Sequence, residues 1–229
     1  MSSNPPDIIR NFERVPAHIV AQAAQFQPAI LADVAGRRGA MHGRIKALRP
    51  RMKLAGPAFT VEVRPGDNLM IHAAIAMARP GDVLVIDGKG DQGSALMGTI
   101  MMTACQKLGI AGVVMDGACR DSLEIDEMDY PVFCVGTNPN GPTKNIAGRI
   151  GHPVSVGDVT VRAGDFVIAD GDGVVVVERE KIEALLPAAA RKVSDEAARI
   201  AAIKEGDTAA KWLNTALRTA GVLKEGETL

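Results

Sequence analysis

Arg120 and Asp121 stand side by side at the end of the stretch DGKGDQGSALMGTIMMTACQKLGIAGVVMDGACRD, which runs from Asp87 to Asp121. A guanidinium beside a carboxylate, just past a buried apolar run, offers an oxyanion holder and a hard oxygen for a divalent cation. Mg2+ keeps several waters and often takes only one or two carboxylates, so Asp121 alone is a sufficient metal ligand for Mg2+ or Mn2+. Some twenty residues earlier, Gly98-Thr99 opens an apolar helix. With Thr99 as N-cap, the first-turn amides of Thr99, Ile100 and Met101 are free to receive a carboxylate, while Ile100, Met101, Ala104, Cys105 and Leu108 fix the helix to the core. The guest that suits these groups is a 2-oxo acid. Its carboxylate would meet the helix terminus, and its keto oxygen would meet Arg120 and the metal. The enolate left when a carbon–carbon bond breaks would be stabilised by both charges. No lysine is obviously placed to form an imine, which favours the metal route. An Arg-Asp dipeptide can equally be a strand-end ion pair, so the pair alone does not decide.

The elements that must position these residues follow from pattern. VLVI at 83–86 and GVVMD at 112–116 read as two buried strands flanking one helix, a βαβ unit. A loop is expected at 88–97. Functional residues in such units gather just beyond the carboxyl ends of the strands. Upstream, residues 7–38 read as helical in two or three pieces, with Pro16 and Pro28 at helix starts. Asp33 lies near the end of the second piece, where a carboxylate does not complement the helix dipole. Residues 53–63 read as a strand that Pro57 places at an edge or at its start. Asp67 or Asn68 caps the next helix, and His72 within it reads as a structural histidine rather than a ligand. From Pro139 to Val177, short apolar pieces between glycine and proline turns imply an antiparallel β layer. DGDG at 170–173 reads as a tight turn, because the remaining ligands of a calcium loop are missing. From Glu178 onward an Ala/Lys/Glu/Arg-rich helix runs to about Glu205, and a last helix carries Trp212 and Leu213. The whole, residues 1–229, reads as one domain with helical arms at both ends, the C-terminal arm starting at about 179.

Composition narrows the function classes. Lys plus Arg is 26 against 27 for Asp plus Glu, and aromatics make up only 3%. That balance gives no basic surface and few stacking platforms for nucleic acid. No apolar run is long enough to span a bilayer, and MSSNPPDIIR has no secretory pattern. Cys105, Cys119 and Cys134 show no CxxC spacing, and reduced thiols in the cytoplasm are expected. Cys119 has no histidine near it in sequence and is a poor nucleophile.

These residues together resemble the RraA-like family, specifically its 4-hydroxy-4-methyl-2-oxoglutarate and 4-carboxy-4-hydroxy-2-oxoadipate aldolases. The resemblance runs through AGRRGAM at 35–41, AGPAFTV at 55–61, GDNLMIHAAI at 66–75, PGDVLVIDG at 80–88, ALMGTIMMTACQKLGIAGVVMDGACRD at 95–121, PVF at 131–133 and GDFVIADGDGVVVV at 164–177. It implies an α/β chain with a three-layer β/β/α swivelling-type fold, assembled as a trimer or hexamer. It also implies a class II pyruvate aldolase that depends on Mg2+ or Mn2+, with oxaloacetate decarboxylation as a related activity. By position, Asp121 would hold the metal and Arg120 the keto oxygen. The turn at Gly98 and Thr99, with the amides of Ile100 and Met101, would receive the pyruvate carboxylate. Asp33 stands where relatives place a glutamate near the site. Glu196, or Asp195 beside it, matches an acid supplied by the adjacent subunit. Thr99 departs from the pattern, since the aldolases usually carry an acid there. The same family includes regulators that inhibit ribonuclease E without catalysis. The aspartate after Arg120 favours an enzyme over a regulator.

Overall fold

The computed structural model describes residues 7–229. Residues up to Ala190 form one compact unit, and Arg191–Leu229 form a second. The first unit opens with an extended segment in which the Ile9 amide donates to the Ile150 carbonyl. This segment replaces the helix expected from residue 7, because Ile8 reaches the core through a parallel bridge to Ile150 rather than along a helical face. Helices α1 (Ala17–Ala23) and α2 (Pro28–Val34) follow, with Pro16 at the N-cap of one and Pro28 in the first turn of the other.

Strands β1 (Lys46–Ala47) and β2 (Leu54–Glu62) lead into α3 (Leu69–Met77), β3 (Val83–Met97), α4 (Thr99–Lys107), β4 (Gly112–Cys119), α5 (Ser122–Glu127) and β5 (Val132–Cys134). β2, β3, β4 and β5 pair in parallel, each joined to the next through a helix. Two short strands extend this sheet, β6 (Gly136–Thr137) on β4 and β7 (Arg149–Ile150) on β2. β8 (Val154–Val156) and β9 (Val159–Val161) form a separate hairpin. β10 (Phe166–Asp170) and β11 (Gly173–Val177) form another, and β10 joins β2 antiparallel. The order β1-β5-β4-β3-β2-β10-β11 nearly closes on itself, because Ala40, just ahead of β1, bridges Val175 of β11. The result is a mixed α/β fold with a barrel-like sheet and helices packed around it.

Pro57 lies in a central strand rather than at an edge. The parallel ladder with β3 begins at Ala58, one residue later, so the missing N–H removes no bond from it. The hairpin β10–β11 shows how the sheet serves two cores. Val167, Ala169, Val174 and Val176 face one cluster, and Phe166, Ile168, Val175 and Val177 face the other. That is the period of two expected of strands buried on both sides. The first cluster holds α3, α4 and α5, and the second holds α1, α2 and α6 (Ile182–Lys204). The first turns of α6 bury Ile182, Leu186 and Ala189, so the compact first unit extends past residue 179. In the second unit, α7 (Leu213–Thr219) begins just after Trp212. No described helix is long and apolar enough to cross a membrane.

The glycine-rich run 88–94 is extended strand rather than a loop. It stays paired with β4 through register shifts at Asp91, Ala95 and Met97. Gly88 and Gly117 exist for packing: a Cβ on either would meet Leu96 Cδ1, at 2.6 and 2.8 Å. The Leu96 side chain therefore sits over backbone that only glycine leaves open.

Candidate functional site

The carboxyl ends of β3 and β4 open into a cleft of about 110 Å3, lined by Asn68, His72, Ala95–Gly98, Ile100, Met101, Arg120, Asp121, Pro142 and Lys144. It is a space for a small acid, well below the volumes typical of drug-sized guests. Its floor is set by backbone. The Arg120 amide donates to the Met97 carbonyl at 3.0 Å, which ties the end of β4 to the turn before α4. Asp121 adopts φ 59 and ψ 43, in the left-handed region that few non-glycine residues occupy and that aspartate tolerates best. That conformation turns its carboxylate back toward Gly98.

Gly98 is the N-cap of α4, and Thr99 is the first helical residue rather than the cap. The Thr99 amide donates to Asp121 Oδ2 at 3.0 Å. A Cβ on Gly98 would lie 2.4 Å from that oxygen and 2.9 Å from Arg120 Cγ. Only glycine lets the helix start, the arginine and the aspartate share this space. The amides of Met101 and Met102 both donate to the Gly98 carbonyl at 3.1 Å. Among the described residues, the Ile100 amide is therefore the one first-turn donor without a hydrogen-bond partner. The Ile100 side chain is 83% exposed instead of anchoring the helix, and Leu108 is exposed as well; Met101, Met102 and Cys105 carry that packing.

Arg120 and Asp121 are both about 40% exposed, and Arg120 Nε stands 3.7 Å from Asp121 Oδ2, an ion pair rather than a hydrogen bond. Asp121 Oδ1 accepts none of the described hydrogen bonds. No group of three histidine, cysteine or acidic side chains converges among the described residues. A divalent cation here would thus rest on Asp121, with water and substrate as its other ligands. That sparse set of hard oxygen suits Mg2+ or Mn2+.

Of the residues singled out in sequence, Gly98, Ile100, Met101, Arg120 and Asp121 line one cleft. Thr99 does not line it: its amide donates a hydrogen bond to Asp121, and its hydroxyl is buried without a partner. Asp33 sits exposed on α2, which packs on the β10–β11 hairpin, and does not line the cleft. Glu196 belongs to the second unit, where Lys192 pairs with it at 3.1 Å. Cys119 is buried with its sulfur 3.6 Å from that of Cys134. That contact, together with burial, pushes its thiol pKa up, which leaves it unsuited to attack.

Three lining residues escaped the sequence reading. Asn68 donates through Nδ2 to the Leu96 carbonyl at 2.8 Å and to Met101 Sδ, bracing the wall, while its Oδ1 is buried without a partner. His72 faces the cleft, and partial burial followed by the charge of Lys144 lowers its pKa below the ordinary 6.5. Lys144 arrives from the glycine- and proline-rich segment after β6. The only sequence signal was the helical offset of four between Asn68 and His72, which puts both on one face.

Known proteins resemble this chain in sequence and in fold. The chain is 42% identical over 161 residues to a Halalkalibacterium halodurans protein provisionally named 4-hydroxy-4-methyl-2-oxoglutarate aldolase, covering 70% of this chain and 77% of that one. An Arabidopsis thaliana protein with the same provisional name is 34% identical over 146 residues, covering 61% of this chain and 87% of its own. Among solved structures, Streptomyces coelicolor RraAS2, described as an unusual member of the RNase ES inhibitor RraA protein family, superposes with a TM-score of 0.76 at 28% identity, over 82% of this chain and 99% of that one. Residues 19–176, which carry the sheet, the Gly98 turn and the Arg120-Asp121 pair, match the Aldolase/RraA description, and the chain belongs to the RraA-like family.

Proposed function

We propose that this protein is a divalent-metal-dependent carbon–carbon lyase that cleaves 4-hydroxy-2-oxo di- and tricarboxylic acids, such as 4-hydroxy-4-methyl-2-oxoglutarate or 4-carboxy-4-hydroxy-2-oxoadipate, to pyruvate and a second oxo acid. Oxaloacetate decarboxylation would be a related activity, since both reactions pass through pyruvate enolate. The observation that carries the reading is the contact at Gly98, where a helix start, a guanidinium and a carboxylate meet so closely that a Cβ would lie 2.4 Å from Asp121 Oδ2.

The Ile100 amide, at the positive end of α4, would receive the substrate C1 carboxylate. Arg120 would donate to the 2-oxo oxygen. As the C3–C4 bond breaks, its electron pair moves into C3 and the charge settles on that oxygen, where the guanidinium counters it. The C4 hydroxyl loses its proton and becomes the carbonyl of the second product, and C3 then takes up a proton. A Mg2+ or Mn2+ held by Asp121 would supply Lewis-acid polarisation of the 2-oxo group. Asp33, and Glu196 or Asp195 from the adjacent subunit of a homotrimer or hexamer, would act as proton carriers. The exposure of Ile100 at 83% and Leu123 at 69%, flanking the Arg120-Asp121 pair, supports burial of this rim against another subunit. The three free cysteines support a reducing, cytoplasmic setting.

A coupled assay for pyruvate over 4-hydroxy-2-oxo acids and oxaloacetate, with and without metal, tests the reading. Release that EDTA abolishes, that Mn2+ or Mg2+ restores and that Asp121→Ala eliminates is expected. Turnover unaffected by EDTA, or a borohydride-trapped pyruvate adduct on Lys144, would overturn the metal route. The likeness to RraAS2 favours a second reading, a non-catalytic regulator that binds ribonuclease E. Capture of that enzyme with no turnover on any oxo acid would select it.

A further inference from the structure

Asp67 is 2% exposed, yet it pairs with no arginine or lysine among the described residues. A buried carboxylate is ordinarily paired or fully hydrogen-bonded, and this one is wholly given to backbone and hydroxyl donors. Oδ2 accepts from the Thr143 hydroxyl at 2.7 Å, the Asn145 amide at 2.7 Å and the Ile146 amide at 3.2 Å. Oδ1 accepts from the Leu69 amide at 3.0 Å, at the start of α3. Two backbone bonds complete the clamp: the Thr143 amide donates to Gly66, and the Asn68 amide donates to Thr143. The backbone on both sides of Lys144 is therefore fixed to the helix that carries Asn68 and His72.

What this clamp presents to the cleft is one ammonium group. Lys144 lines the cleft with Arg120, and among the described residues its ammonium has neither a salt bridge nor a hydrogen bond. Arg120, the other cation lining the cleft, faces Asp121. Two separate cations with only one carboxylate between them leave the cleft net positive. That imbalance is suited to a dianion.

We infer that Lys144 is the specificity-determining anchor for the second carboxylate of the substrate, so that the cleft selects oxo diacids over oxo monoacids. The inference rests on the 2-oxo acid reading of the cleft and assigns its distal half. The C1 carboxylate is placed at α4 and the keto oxygen at Arg120, which leaves the far carboxylate of a five- or six-carbon diacid without a counter-charge. Lys144 supplies it. His72 lines the same cleft, and partial burial followed by the Lys144 charge disfavours its charged form. Asp67 acts as a positioning residue, holding the lysine's backbone so that less conformational freedom is lost when the diacid binds.

The test compares ligands with and without the distal carboxylate, using the full chain with Mg2+ present. Calorimetric titration with 2-oxoglutarate and with 2-oxobutyrate is run on the wild type, Lys144→Met and Lys144→Arg. The wild type is expected to prefer the diacid by on the order of 30-fold, the range for a close charge pair in a binding site. Lys144→Met should erase that preference with 2-oxobutyrate binding changed less than threefold, and Lys144→Arg should restore most of it. Steady-state rates on 4-hydroxy-4-methyl-2-oxoglutarate should show the same loss in KM with kcat nearly kept. Equal binding of both acids by the wild type, or an equal loss for both in Lys144→Met, would overturn the assignment. A wild type that cleaves nothing but prefers the diacid through Lys144 would refute the lyase and leave the anchor standing.

Discussion

The Thr99 amide donates to Asp121 Oδ2 at 3.0 Å, so the first turn of one helix is fastened to a residue 22 positions later at the end of the next strand. That single bond aligns the amide-bearing turn with the Arg120-Asp121 pair, and it forms only because Gly98 has no side chain. Gly98→Ala must push Asp121 or Arg120 aside, since the new methyl would lie 2.4 Å from one and 2.9 Å from the other. Turnover should fall about 100-fold or more, as misplacement on the ångström scale does elsewhere. The melting temperature should move little, because the displaced groups are half-exposed. Activity retained at wild-type level would show that the close approach has no functional consequence.

Asp121→Asn separates the charge of this residue from its structural bond. Asparagine tolerates the left-handed backbone and can still accept the Thr99 amide through its carbonyl oxygen. Thermal stability without metal should therefore stay within about 0.5 kcal/mol of wild type. The rise in melting temperature that Mg2+ or Mn2+ produces in the wild type should vanish, along with metal-dependent pyruvate release. Differential scanning fluorimetry over a metal titration reads both effects at once.

What was legible in the sequence follows from how local each relationship is. Arg120 and Asp121 are adjacent, the Gly98 turn precedes them by one helix and one strand, and parallel strand ends gather their residues at one edge. The βαβ core and the β10–β11 hairpin were readable for the same reason. Lys144 was not, because its place depends on Asp67 bonding across 76 to 79 residues, which no period or motif announces. His72 read as structural because a lone histidine on an apolar helix gives no sign of what faces it. Residues 88–97 read as a loop because glycine is a turn former by propensity; they are strand to Met97, and Gly88 makes room for Leu96 instead.

The Arg14–Asp82 pair gives a prediction for the scaffold alone. Arg14 Nε and Nη2 donate to the two carboxylate oxygens of Asp82 at 2.7 and 2.9 Å, and Asp82 is 1% exposed. The same carboxylate accepts the Arg79 amide, and the guanidinium lies over the Phe12 ring at 4.2 Å. Asp82→Ala leaves a half-buried guanidinium and a turn amide unpaired just before β3. It should destabilise the fold by about 3–5 kcal/mol. Substituting both partners by apolar residues should recover much of that loss. Urea unfolding of the single and double variants measures the difference, and a loss below about 1 kcal/mol for Asp82→Ala would show the pair to be dispensable.

Asp67 predicts where acid first loosens the cleft. Burial works to raise its pKa, but the amides of Asn145 and Leu69, the Thr143 hydroxyl and the Ile146 amide outweigh it and hold the pKa below the ordinary 3.8. A carboxylate with a depressed folded-state pKa contributes stability that is complete above its unfolded value, about 3.9. That contribution fades as the pH falls through the lower folded value. The bonds to Thr143, Asn145 and Ile146 should therefore weaken only below about pH 4, with Lys144 released along with them. Amide exchange at Asn145 and Ile146 should accelerate in that window, and the preference for diacids should decline with it. Asp67→Ala has neither a carboxylate to protonate nor an oxygen to accept, so its exchange at these two amides should already be fast at neutral pH and flat across the acid range. Protection at Asn145 and Ile146 that is unchanged in the variant would mean the loop is held by something other than this carboxylate.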